Sequence, residues 1–178
     1  MSSDIHYHHW TARHRRMLQE AGTSLPKMIE IALEVISLMP PDIHMVSGPV
    51  STGGLGNVKD NLTVLRLGVE WLEEAEGRNV FSQIQFEVGM NGYHTEWSKT
   101  CKAGDYCWPI LNEFYAPLFA TRKFRMFHFL HGYEASVGAR WEHLQCQKHG
   151  IRKRYLPRSL SRELMSVALP ALTTRQRP

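Results

Sequence analysis

No apolar stretch of this 178-residue chain reaches membrane-spanning length before a charge interrupts it, which excludes a transmembrane helix. The opening "MSSDIHYHHWTARHRR" has none of the apolar core of a secretory signal. Cysteine is scarce: Cys101, Cys107 and Cys146 form no CxxC pair, and three thiols cannot all pair within one chain. A reducing compartment and a soluble, cytoplasmic protein are therefore expected. There is no GK[ST] phosphate loop, no GxGxxG fingerprint, no internal repeat and no low-complexity segment. Nor is there much charge of one sign: 21 Lys and Arg against 17 Asp and Glu leave +4, spread along the chain. That balance leans only slightly toward anionic ligands, and no nucleic-acid or membrane partner is expected. His6, His8 and His9 lack an acidic or cysteine partner at a recognised spacing, so neither a metal nor another cofactor is expected.

What is present suits one domain: 43% hydrophobic residues over this length can build a real core. Residues 10–39 have helical spacing in two pieces, broken at "AGTSLP", with Ser24 as cap and Pro26 in the first turn of the second piece. This predicts a helical extension over residues 1–40. An α/β domain then spans residues 41–170, before a frayed tail at 171–178. Its first strand, His44 to Ser47, leads into the loop "SGPVSTGG". Val58, Leu62, Leu65, Val69 and Leu72 repeat at helical spacing, with Gly77 just past the end. "NVFSQIQFE" reads as a second strand and residues 88–106 as irregular. A helix around "PILNEFYAPLFATRK" should end or kink at Pro117. "FRMFHFLHG" is a third strand, "ASVGARWEHLQCQKHG" a helix closed by Gly150, "IRKRYLP" a fourth strand and "SRELMSVAL" a last helix.

Four alternations of strand and helix predict an α/β, flavodoxin-like doubly wound parallel sheet of four or five strands in the order 2-1-3-4. Ligands bind such sheets at the carboxyl ends of strands one and three, where the order reverses. Those ends carry "SGPVSTGG" and "HGYEASVG". With a helix starting near Ser136, Ala135, Gly138 and Ala139 share the face of Glu142, and no bulky side chain stands over that carboxylate. Ser136, about 9 Å nearer the helix start, can cap it and help its N–H groups bind an anion. Two alternatives stay open here. Glu142 could simply form a surface ion pair with Arg140 or Lys148, and the glycine loop could be a plain turn instead of a nest around a phosphate. Ser47, Ser51, Thr52, Gln83, Gln85 and Glu87 are candidate polar contacts at the strand ends.

"MVSGPVSTGG", a helix, "NVFSQIQFE" and then "FLHGYEASVGARWEHLQCQKHGI" together resemble the nucleoside 2-deoxyribosyltransferase-like superfamily, closest to its nucleoside 5'-monophosphate N-glycosidase branch. The resemblance covers residues 43–157. It implies that Glu142 of "SVGARWE" is a nucleophile toward the anomeric carbon. It also implies that Ser136 contacts a 5'-phosphate, and that Ser47, Gly48, Ser51, Thr52, Gly53, Gly54, Gln85, Glu87, Ser136 and Gly138 bind the substrate. A homo-oligomer is expected, with the apolar "KMIEIALEVISLM" available either for that interface or for the chain's own core. "ATRKFRMFHF" has no Asp where members of the family carry an acid before the third strand, so His128 or His131 is a candidate for part of that function, against a plain core or loop role.

Two function classes follow: an N-glycosidase or base-exchanging glycosyltransferase acting on a nucleotide, or a catalytically silent nucleotide-binding or sensor protein with the same pocket. Tyr93, Trp97, Tyr106 and Trp108 are either a lid that stacks a base or ordinary loop packing. Cys101 and Cys107 with His94 lack a nucleophile signature and read as idle thiols. The five basic residues of "IRKRYLPRSLSR" read as a solvated edge.

Overall fold

The computed structural model describes residues 9–102 and 104–168. His6, His8 and the expected frayed tail lie outside them. The chain divides into two compact units, one from Met1–Pro40 with Gln85–Thr121, the other from Pro41–Ile84 with Arg122–Pro178. The N-terminal helices thus do not stand alone as an extension; an insert from the middle of the chain groups with them.

The helical unit begins with α1, Ala12–Ala21, capped by Thr11, and α2, Leu25–Leu38, capped by Ser24 with Pro26 in its first turn. Leu25, Met28, Ile31, Ala32, Val35 and Ile36 of α2 are all buried within this chain, so the apolar face considered for an interface is already covered. Residues 88–106, expected to be irregular, are mostly helix: α4 spans Glu87–Ser98. Two glycines argued against a helix there by propensity. A Cβ at Gly89 would lie 2.6 Å from both the Gly22 carbonyl oxygen and the Met28 sulfur, so the missing side chain is what lets α4 pack on the α1–α2 turn. Pro117, expected to end or kink the next helix, does not end it, but the helix is irregular just before it. A π-helical turn, Ile110–Tyr115, precedes α5, Ala116–Ala120, with the Ala116 N–H reaching back to the Leu111 carbonyl. The proline then falls in the first turn of α5, where no N–H is required of it. Trp10 meets Phe86 edge-on and Phe86 tilts against Phe114, with ring centroids 5.3 and 4.9 Å apart.

The other unit holds a four-stranded, all-parallel sheet in the order β2-β1-β3-β4, as the alternation predicts. Its strands are β1, Ile43–Ser47; β2, Asn79–Val80; β3, Phe124–Phe129; and β4, Arg152–Tyr155. Helices α3, Val58–Glu76, α6, Val137–His149, and α7, Arg158–Ala168, complete it. Alternation along β1 sends His44 and Val46 to one face and Ser47 to the other. Gly68 of α3 lies against Val46 on the first face, and Glu142 of α6 meets Ser47 on the second, so both faces are covered and the sheet is flavodoxin-like in layout.

The second strand is much shorter than expected. After Phe81 donates its N–H to the His44 carbonyl at 2.8 Å, the chain turns into a 3-10 helix at Gln83–Phe86. The reason is a side chain: Gln83 Nε2 donates to the Val46 carbonyl at 3.1 Å, taking the place of the next backbone rung. On the α3 face the buried His44 and His128 rings stack, Nδ1 to Nε2 2.7 Å apart. Among the described residues no helix is long and apolar enough to cross a membrane.

Candidate functional site

β1 ends at Ser47, which is wholly buried, and Phe129 at the end of β3 sits beside it in register. The Ser47 hydroxyl donates a short hydrogen bond to Glu142 Oε2. Glu142 itself is only 6% exposed. Burial and a serine donor set aside the surface ion pair, and Arg140 instead donates to the Glu134 carbonyl at 2.6 Å. A carboxylate buried at the carboxyl ends of the two central strands is an unusual expense for a fold of this size. Its charge is felt one helical turn on: burial, then Glu142, pushes the Cys146 thiol up to about 12, which leaves that thiol inert.

The two loops interlock. Ser136 is buried and caps α6, its Oγ accepting from the Ala139 N–H at 3.3 Å, while the Val137 N–H donates to Thr52 Oγ1 at 3.2 Å. Ala135 is not on the helix. It belongs to a 3-10 turn, Tyr133–Ala135, and its methyl occupies the space a Cβ on Gly53 would need, 2.8 Å away. Two of the N–H groups expected to greet an anion are therefore committed to Thr52 and Ser136. What remains at the helix start is the Ser136 O–H and the Gly138 N–H, which has no acceptor within its own helix.

Asn61 organises the glycine loop, and nothing in the loop's own sequence announces it. From α3 its Nδ2 donates to the Val50 and Gly53 carbonyls at 2.9 and 3.1 Å, and its Oδ1 accepts from the Leu55 N–H at 2.8 Å. Gly54, at φ +64°, passes so close to Asn61 that a Cβ would fall 2.2 Å from Oδ1. The one sequence clue was a poor helix former, Asn, four residues after the Asn57 cap. Gly48 is likewise covered, by Leu130, whereas Ser51 and Gly53 are exposed.

Of the remaining candidates, Gln83 joins this region through Val46, and its buried Oε1 has no protein partner. Gln85 and Glu87 belong to the helical unit, where burial raises the Glu87 carboxyl to about 7. Tyr93, Trp97, Tyr106 and Trp108 also lie in that unit, in helix α4 and the segment after it, with Tyr106 and Trp108 5.2 Å apart. His128 is on the α3 face, bonded to His44, and so is not beside Glu142. Burial, followed by the neighbouring His44, depresses it to about 4, which keeps it neutral. His131 is exposed, its N–H held by Ser161 Oγ at 3.0 Å.

An aromatic set that the sequence reading missed stands on the Glu142 face: Phe129, Tyr133, His143 and Tyr155. Tyr133 stacks on His143 and Tyr155 with centroids 5.4 and 5.8 Å apart, and His143 Nε2 lies 2.8 Å from the Tyr155 hydroxyl. Burial and then Lys153 hold His143 below its usual range. No periodicity could have grouped these residues, because they come from a turn, a helix and a strand. No group of described His, Cys, Asp and Glu residues is arranged to hold a metal ion.

Fold and site together define a parallel α/β protein with a buried carboxylate at the switch point of its sheet. Comparison of the chain with protein-family models, curated proteins and solved structures finds no match.

Proposed function

We propose that the protein cleaves the N-glycosidic bond of a nucleoside 5'-monophosphate, with Glu142 as nucleophile. The observation that carries this reading is the buried Ser47–Glu142 hydrogen bond at the carboxyl ends of β1 and β3, where sheets of this layout bind ligands. The Ser47 hydroxyl orients the carboxylate. Glu142 attacks the anomeric carbon, the C–N bond breaks with its electron pair leaving on the base, and the base takes up a proton. Water then hydrolyses the glycosyl ester. Ser136 O–H and the Gly138 N–H hold the phosphate, and the Gln83 acceptor and the Tyr133–Tyr155 stack serve the sugar and base.

Incubating the protein with ribo- and deoxyribonucleoside 5'-monophosphates, with free base followed by chromatography, tests it. Base release is expected, and Glu142→Gln or Glu142→Ala abolishes it while nucleotide binding persists. Ser136→Ala weakens the nucleotide by about 1–2 kcal/mol and the matching nucleoside less. Full turnover by Glu142→Ala defeats the reading. Binding without base release by the unaltered protein replaces it with a catalytically silent nucleotide sensor.

A further inference from the structure

At the opposite end of the same sheet, a concavity of about 360 Å³ is lined by Asp42, Arg122, Lys123, Arg125, His149 and Arg152, among others. Two basic stretches far apart in sequence meet there because β3 and β4 pair in parallel, with Met126 opposite Arg152. Arg122, Lys123, Arg125 and Arg152 line it beside Asp42, whose carboxylate lies 3.4 Å from Arg125. The carboxyl end of α6 adds about half a negative charge. The three arginines, less Asp42 and the helix end, leave roughly 1.5 positive charges.

The backbone is irregular at the same place. Asp42 at φ 65° and Arg122 at φ 55° are the non-glycine residues with positive φ among the described residues, and both line this concavity. Asp tolerates that conformation, and Arg122 takes it just past Thr121, the C-cap of α5, where helices commonly end in a left-handed residue. Beside them the β1–β3 register slips between Ile43 and His44, whose partners are Phe124 and Met126, so Arg125 bulges out of the ladder. Strained residues and bulges gather where side chains are re-aimed for a ligand. Here the register slip displaces Arg125 from the ladder, beside Asp42 in its left-handed conformation.

We propose that this concavity is a second ligand site, distinct from the Glu142 region, that takes a small, multiply charged phosphate compound. A cup of this size suits a small molecule better than a polymer, which needs an extended track of charge. Arginine supplies the planar, paired donors that phosphate oxygens accept.

Tripolyphosphate is the probe. Calorimetry on the full chain at low ionic strength should show one site that weakens as salt is added. Arg122→Ala with Arg152→Ala should cost about tenfold or more in affinity. Arg152→Gln alone, an exposed change compatible with folding, should cost several-fold, whereas Lys99→Ala in the helical unit should cost nothing. In amide NMR spectra the shifts should centre on residues 122–125 and 149–152. Affinity unaffected by both arginine variants overturns the proposal, as do shifts confined to residues 47–54 and 136–138. Tighter binding of a single-stranded oligonucleotide, lost in the same variants, would make the surface a nucleic-acid contact and overturn the small-ligand assignment.

Discussion

At the carboxyl ends of β1 and β3 several polar groups are committed to one another: Ser47 to Glu142, Thr52 to Val137, the glycine loop to Asn61. At the amino ends of β3 and β4 they are exposed, mostly of one sign, and held apart by backbone that departs from regular geometry. Both ends belong to the same strands. The first region is organised before any ligand arrives, in surroundings where each hydrogen bond is hard to replace. The second depends on charge density in water, where each contact is weak and screened. Mutation should therefore hurt the first through stability and the second almost only through binding.

The largest stability effect should come from neither end but from the His44–His128 pair between them, which serves as a reference for what a buried polar contact costs. His128 sits at about 4 in the folded chain against an ordinary value near 6.5. Between these values the unfolded chain binds the extra proton, so stability should fall as pH drops through that window, by about 3 kcal/mol. Urea midpoints measured above and below the window should show this loss, and the double change His44→Leu, His128→Leu should remove most of it. An unchanged slope would mean the pair is not what titrates.

Asn61→Ala should come next, at about 2 kcal/mol, because it strips three hydrogen bonds from the glycine loop. Thermal melts should record it. Ser47→Ala should cost about 1–2 kcal/mol by leaving the Glu142 carboxylate without its hydroxyl donor. A cost near zero would erase the contrast between the two ends. Smallest, and of opposite sign, is Arg122→Gly: relief of the positive φ, offset by the greater freedom of glycine in the unfolded chain, should leave a gain of about 0.5 kcal/mol in melts. A loss there would show that Arg122 is held by contacts that outweigh its strain.

The sheet order was legible in the sequence because parallel strands need helical crossovers, and alternation with right-handed connections leaves few arrangements. Glu142 stood out because small residues precede it, and Ser24, Gly77 and Gly150 marked helix ends by local chemistry alone. These are short-range matters, settled within a turn or two of chain. The rest was decided by groups distant in sequence. Gln83 ended β2 by answering a carbonyl 37 residues away, and Gly89 allowed a helix because of what lies against it. Asn61 drew the loop around itself, and pairing of β3 with β4 gathered two basic stretches into one concavity. Local propensity is worth tenths of a kcal/mol per residue, whereas a buried polar group left unpaired costs whole ones. Where the two conflicted, the tertiary structure prevailed.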